Sequence, residues 1–159
     1  AYKISLAYFI NSDKPLELAN LYNNIGLAYV KLGAIQSSIK NFQQAETIYN
    51  NFGTKADQID IRYNIAILYL SLKRFDVAIE LYLDVINKLS DSDDKLTLAK
   101  ARGDLGTTYK YSGKYKKALD LLLQAITYFD QTGNKYYRKE NSSCWCNRCI
   151  RKGLCIWIS

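Results

Sequence analysis

The stretch Leu21-Tyr22-Asn23-Asn24-Ile25-Gly26-Leu27-Ala28-Tyr29 returns forty residues on as Ile61-Arg62-Tyr63-Asn64-Ile65-Ala66-Ile67-Leu68-Tyr69. It returns again, forty further, as Ala101-Arg102-Gly103-Asp104-Leu105-Gly106-Thr107-Thr108-Tyr109. Gly26, Ala66 and Gly106 are equivalent, as are Tyr29, Tyr69 and Tyr109, and the register holds without a gap. Outward from each copy the pattern breaks near Gly33, Lys73 or Gly113. A second apolar series follows, marked by Ile35, Ile39 and Phe42, by Phe75, Ala78, Ile79 and Tyr82, and by Tyr115, Ala118, Leu119 and Leu122. Steps of three and four residues gather apolar side chains on one helical face, whereas a strand needs steps of two. Gly53, the run from Ser90 to Asp94, and Gly133-Asn134 close the three copies. The repeating unit is therefore expected to be a pair of antiparallel helices.

Small residues recur at further equivalent places, namely Ser38, Ala78 and Ala118, then Ala45, Val85 and Ala125. With the Gly/Ala position of the first helix they let paired helices approach closely, while Phe42, Tyr82 and Leu122 are expected to fill the space between units. One hairpin cannot bury its apolar face alone, so successive hairpins must stack. The expected fold class is all-α, an α-α superhelix of about three 40-residue helix-turn-helix repeats plus a partial N-terminal helix. Its divisions are 1–14, the second helix of a truncated repeat; 15–54, 55–94 and 95–134, the three repeats; and 135–159, a degenerate fourth repeat or an out-of-frame tail. The chain lacks Met and opens inside an amphipathic pattern, so it is expected to be a fragment. Self-association through the exposed ends of the stack is then expected.

At these residues the sequence resembles the tetratricopeptide repeat family. That family's pattern is matched in the first unit by Tyr22, Ile25-Gly26, Tyr29, Phe42 and Ala45, with Ser38 in place of Ala. The third unit matches with Leu105-Gly106, Tyr109, Gly113, Tyr115, Ala118 and Ala125, and departs at Arg102 where an aromatic is usual; the second departs at Arg62, Ala66 and Val85. Units of 40 residues are similar to the long-helix variety found in kinesin light chains and bacterial peptide receptors.

In that variety the first helices line a concave groove, where Asn side chains bond the backbone of an extended peptide. The resemblance therefore implies a peptide-binding set of Asn24, Asn64 and Asp104, which share one repeat position, with Asn20, Asn23, Tyr63, Lys100 and Lys110 around them. An Asn offers both donor and acceptor and so suits a peptide unit of any sequence, whereas the carboxylate of Asp104 only accepts. The same Asn residues are also readable as solvated helix positions, or as side chains bonding a neighbouring repeat. Leu27, Ile67 and Thr107 are further groove candidates, and the mix of Lys100 and Lys110 with Asp60 argues against a purely acidic or basic ligand.

Composition narrows the function classes. Of 159 residues 48% are apolar and 23% charged, with a single Pro, as in folded globular chains. No run approaches the roughly 20 apolar residues of a membrane span, and no leader precedes a cleavage site, so no membrane association and a cytoplasmic location are expected. The absence of His removes the commonest general base and metal ligand, and no enzymatic activity, cofactor or metal is expected. The net charge of +7 is concentrated at one end: residues 1–134 carry 16 Lys+Arg against 14 Asp+Glu, and residues 135–159 carry 6 against 1. A body at +2 without a basic stripe gives no expectation of nucleic-acid binding.

Gly106 to Lys114 resembles a phosphate-binding loop only loosely, because six residues separate the glycines and Tyr115 stands where Ser or Thr would hold magnesium. The acidic run at 91–94 lacks the spaced ligands and closing Glu of a calcium loop and reads as a solvated turn. All four Cys and both Trp lie between Cys144 and Trp157, and only Cys146 and Cys149 have the spacing of a zinc pair. A one-base shift would turn such codons into Val, Ala and Gly, so the tail reads either as out-of-frame sequence or as a divergent cap. The function expected is that of a non-enzymatic scaffold binding a protein or extended peptide in the groove. The alternative is a sensory or regulatory segment of a larger histidine kinase or transcription regulator that lacks its output domain.

Overall fold

The computed structural model describes residues 14–133. The helix expected over 1–14 lies outside the described residues apart from Lys14, and every expectation for 135–159 lies outside them. The described residues form α1 (Pro15–Lys31), α2 (Ile35–Phe52), α3 (Lys55–Ser71), α4 (Phe75–Leu89), α5 (Lys95–Tyr111) and α6 (Tyr115–Gln131), with no strand among them. They fall into two compact units, α1–α4 ending at Asp93 and α5–α6 beginning at Asp94.

The same backbone hydrogen bonds build each hairpin turn. The N–H of Ala34 donates to the Tyr29 carbonyl at 3.0 Å, that of Arg74 to Tyr69 at 2.9 Å, and that of Lys114 to Tyr109 at 2.8 Å. The preceding N–H of Gly33, Lys73 or Gly113 donates to Val30, Leu70 or Lys110, which completes a Schellman motif at all three places. This geometry needs a left-handed residue, and Gly33, Lys73 and Gly113 have φ of 70°, 56° and 78°. Ala34, Arg74 and Lys114 are also the N-caps of the next helices, and none supplies a capping side chain.

The connections between hairpins are capped instead by side chains. Thr54 and Asp57 form a reciprocal capping box at the start of α3, with Asp57 Oδ2 accepting from the Thr54 N–H at 2.8 Å. At the start of α5 the Asp94 carboxylate accepts from the Thr97 N–H at 3.0 Å. Hydrogen bonding from the Thr97 side chain, and next from its N–H, holds the Asp94 carboxyl below its ordinary value. One acid of the 91–94 run is thus a helix cap.

In the first unit Ala19, Phe42, Ala45, Tyr49, Ile61 and Leu68 form the buried cluster, with Tyr22, Leu27, Ile39 and Ile65 packed against it. Phe42 does more than fill space between hairpins. A Cβ on Gly26 would come within 2.6 Å of its ring, so Phe42 lies directly over the glycine of its own hairpin while sharing a cluster with Ile61 and Leu68 of α3. Ser38, in the place of Ala78 and Ala118, is fully buried and donates its hydroxyl to the Gly26 carbonyl at 3.1 Å, which satisfies the one polar atom that distinguishes it from Ala. Arg62, in the place of Tyr22, pairs with Asp84 of α4 at 3.1 Å, and Lys88 joins the same carboxylate at 2.8 Å.

The second unit repeats the close approach. A Cβ on Gly106 would meet Leu122 Cγ at 2.8 Å and the Ala118 carbonyl at 3.2 Å, so this glycine serves helix packing. Gly113 ends α5, and the two glycines of the loosely phosphate-loop-like stretch each have a structural task. Ala99, Ala125 and Phe129 bury one another, with Tyr128 against them.

Candidate peptide-binding face

On α1 the residues Asn20, Asn23, Asn24 and Leu27 recur at steps of three and four, which sets them on one helical face. Tyr63, Asn64 and Ile67 do the same on α3. The structure joins the two sets: Asn64 Nδ2 donates to Asn23 Oδ1 at 3.0 Å, forty-one residues away in sequence. Asn24 is exposed, and its side chain makes no hydrogen bond among the described residues. Asn20 is exposed too, and its Oδ1 accepts from the hydroxyl of Tyr49 at 2.7 Å.

Tyr49 was not among the sequence candidates. It is 3% exposed, in the same repeat position as the buried Leu89 and Phe129, so its ring belongs to the core while its hydroxyl reaches the candidate face. Burial, with smaller contributions from the carboxylates of Asp57 and Asp60, pushes its phenol up from 10.0 to about 12. A neutral donor is thereby held against Asn20. Tyr63 is half-buried, with its ring edge-on to Tyr82 of α4 at 5.8 Å between centres.

Lys100, Asp104 and Lys110 lie on α5, in the second unit, all half-buried. Lys100 lowers the Asp94 carboxyl further, behind the Thr97 bonds. The ammonium of Lys110 lies 5.6 Å from the centre of the Tyr111 ring. The Asp104 carbonyl accepts from the Thr108 hydroxyl at 2.7 Å. No group of His, Cys, Asp and Glu among the described residues is arranged to hold a metal ion, and no described helix is long and apolar enough to cross a membrane.

The tetratricopeptide repeat model matches residues 17–91 and again 57–131, the second match displaced by the forty residues of the repeat. The chain belongs to the tetratricopeptide repeat family. Its fold is the all-α helix-turn-helix solenoid of that family, a protein-interaction scaffold. Among solved structures it is similar to aspartyl phosphate phosphatase F from Bacillus subtilis, with a TM-score of 0.76 and 16% identity, covering 83% of this chain and 35% of that one. It is similar to RapI in its apo form, with a TM-score of 0.75 and 17% identity over 85% of this chain and 38% of RapI. The TPR-like repeats of a Podosopora anserina kinesin light chain give a TM-score of 0.66 and 17% identity over 77% and 59% of the respective chains. The chain thus spans less than two thirds of the length of each of these proteins. No curated protein sequence matches it.

Proposed function

We propose that this tetratricopeptide repeat chain is a non-enzymatic scaffold that holds an extended segment of a partner protein along its first helices. Asn20, Asn23, Asn24 and Asn64 bond the backbone of the segment, and Tyr63, Leu27 and Ile67 meet its side chains. By repeat equivalence Asp104, with Lys100 and Lys110, carries the same task in the third repeat.

The observation that supports this reading most is the Asn23–Asn64 bond beside the exposed Asn24. Asn64 gives one N–H to Asn23 and retains its carbonyl and second N–H, while Asn23 retains both N–H groups. Each amide therefore still has the donor or acceptor that a peptide unit requires. Two of the three amides are also fixed before a ligand arrives, which lowers the entropy lost on binding.

The test is selection of random peptides against the full chain, followed by calorimetry on the selected peptide. Asn24→Ala is expected to weaken it by roughly 1 kcal/mol, the net scale of one hydrogen bond. A peptide that binds Asn24→Ala and Asn64→Ala as well as it binds the parent would remove these residues from the site. The second reading, a sensing segment of a larger signalling protein, draws on the 35% share of aspartyl phosphate phosphatase F that the chain covers. An open reading frame that ends shortly after the repeats would sink it.

A further inference from the structure

From the fold alone we infer that the turn joining α5 to α6, centred on Lys114, Lys116 and Lys117, is a second docking surface, distinct from the Asn-bearing faces of α1 and α3, and that its partner is a carboxylate-rich protein segment. Between Leu105 and Leu119 the chain has no Asp or Glu and four Lys, at 110, 114, 116 and 117. The corresponding turn of the first hairpin holds only Lys31, and that of the second balances Lys73 and Arg74 with Asp76.

In the folded chain these lysines gather around aromatic rings. The ammonium groups of Lys114 and Lys117 lie 5.9 and 5.6 Å from the centre of the Tyr109 ring, and that of Lys110 lies 5.6 Å from the centre of Tyr111. The ring face attracts cations and so holds two ammonium groups near one another. Lys114, Lys116 and Lys117 are exposed and have no carboxylate in ion-pair reach among the described residues. Lys116 and Lys117 also stand in the first turn of α6, where the helix dipole disfavours positive charge. The cluster is self-repelling within its own fold, and an acidic partner relieves that repulsion.

Its chemistry selects among anions. The cluster contains Lys and no Arg, so it meets an anion with point charges and not with a bidentate fork. No basic residue follows Lys117 through Gly133, so the patch does not run on along α6 as the basic stripe that tracks a nucleic-acid backbone. Tyr111, 60% exposed, and Tyr115, 46% exposed, add apolar area beside the charges. An acidic segment carrying an occasional aliphatic side chain complements both.

The test uses the full chain and a fluorescein-labelled peptide of repeated Glu-Glu-Leu triplets. Binding is expected at about 50 mM salt and should weaken at about 300 mM, as screening requires. The triple variant K114Q/K116Q/K117Q should lose about tenfold in affinity, the combined effect of three exposed charge pairs. The control K31Q/K55Q should bind like the parent, and matched circular dichroism spectra secure the comparison. Failure of the parent to bind the peptide, or equal binding by the triple variant, would overturn the inference. So would tighter, lysine-dependent binding of a DNA duplex or of phosphatidylserine vesicles. None of these outcomes touches the Asn face, whose test uses different variants.

Discussion

Asn64 of α3 donates its side-chain N–H to the carbonyl oxygen of Asn23 on α1, at 3.0 Å. The bond ties two successive first helices, both of which also contribute to the apolar cluster that holds Phe42 and Ile61. It also separates the roles of Asn24 and Asn64, which repeat position alone makes equal.

Asn64→Ala is therefore expected to cost about 1 kcal/mol of stability, while Asn24→Ala leaves stability within about 0.5 kcal/mol. In a double-mutant cycle, Asn23→Ala and Asn64→Ala should couple and Asn24→Ala and Asn64→Ala should not. Urea unfolding of the parent, the three single variants and the two double variants reads this directly. Independent effects of Asn23 and Asn64 would mean that the bond contributes nothing in solution.

Gly26→Ala tests the close approach of α1 and α2. Removing a helical glycine favours folding by about 1 kcal/mol, but the new methyl would stand 2.6 Å from a Phe42 ring that is itself 1% exposed. Overpacking of this kind costs about 1–3 kcal/mol, so the net effect should be destabilising. A raised urea midpoint would show that the ring moves aside freely.

Lys73 occupies a left-handed position, with φ of 56°, where the other two hairpins have glycine. Lys73→Gly relieves a strain of about 1–2 kcal/mol against a smaller entropic loss, so a gain of about 0.5–1 kcal/mol is expected. Thermal unfolding should shift upward for this variant. An unchanged or lower midpoint would mean that the lysine side chain stabilises the turn by as much as the strain costs.

Alkaline pH probes the buried end of Tyr49. Its phenol is raised to about 12 from 10.0, so the folded chain holds this proton more tightly than the unfolded chain does. The associated stability is complete below pH 10 and is lost as pH rises from 10 towards 12, by at most about 1.4 kcal/mol per pH unit. Tyr49→Phe lacks this component, so the stability difference between parent and variant should narrow across that window. A constant difference would show that the hydroxyl is as well solvated folded as unfolded.

The offset of forty made the helices readable, because a face repeated three times is a stronger signal than any local propensity. It also located the break at Lys73, which no single-residue rule assigns, from its equivalence with Gly33 and Gly113, whereas the left-handed backbone there is visible only in the structure. Phe42 was readable as a large residue at a packing position but not as the lid of Gly26, since spacing records which face a side chain occupies and not its reach. Both Asn23 and Asn64 were in view, yet only rotamers decide between a peptide contact and a bond to the neighbouring repeat. Tyr49 went unnoticed although a signal existed: a tyrosine stands where the other repeats place Leu89 and Phe129, and a hydroxyl at a core position demands a partner.

The match of Gly26 to Phe42 and of Gly106 to Leu122 makes the hairpin the unit of exchange. Recombination between two copies that cut at Gly33 or Gly113 would divorce a small residue from the large one shaped to it, leaving a clash in one product and a hole in the other. Crossovers at Gly53 or within Ser90 to Asp94 keep each couple together, and the capping side chains of Thr54 and Asp94 travel with the helices they start. Duplication and shuffling of such an array are therefore channelled to the seams between hairpins, which are also where an engineered array built from this chain should be spliced.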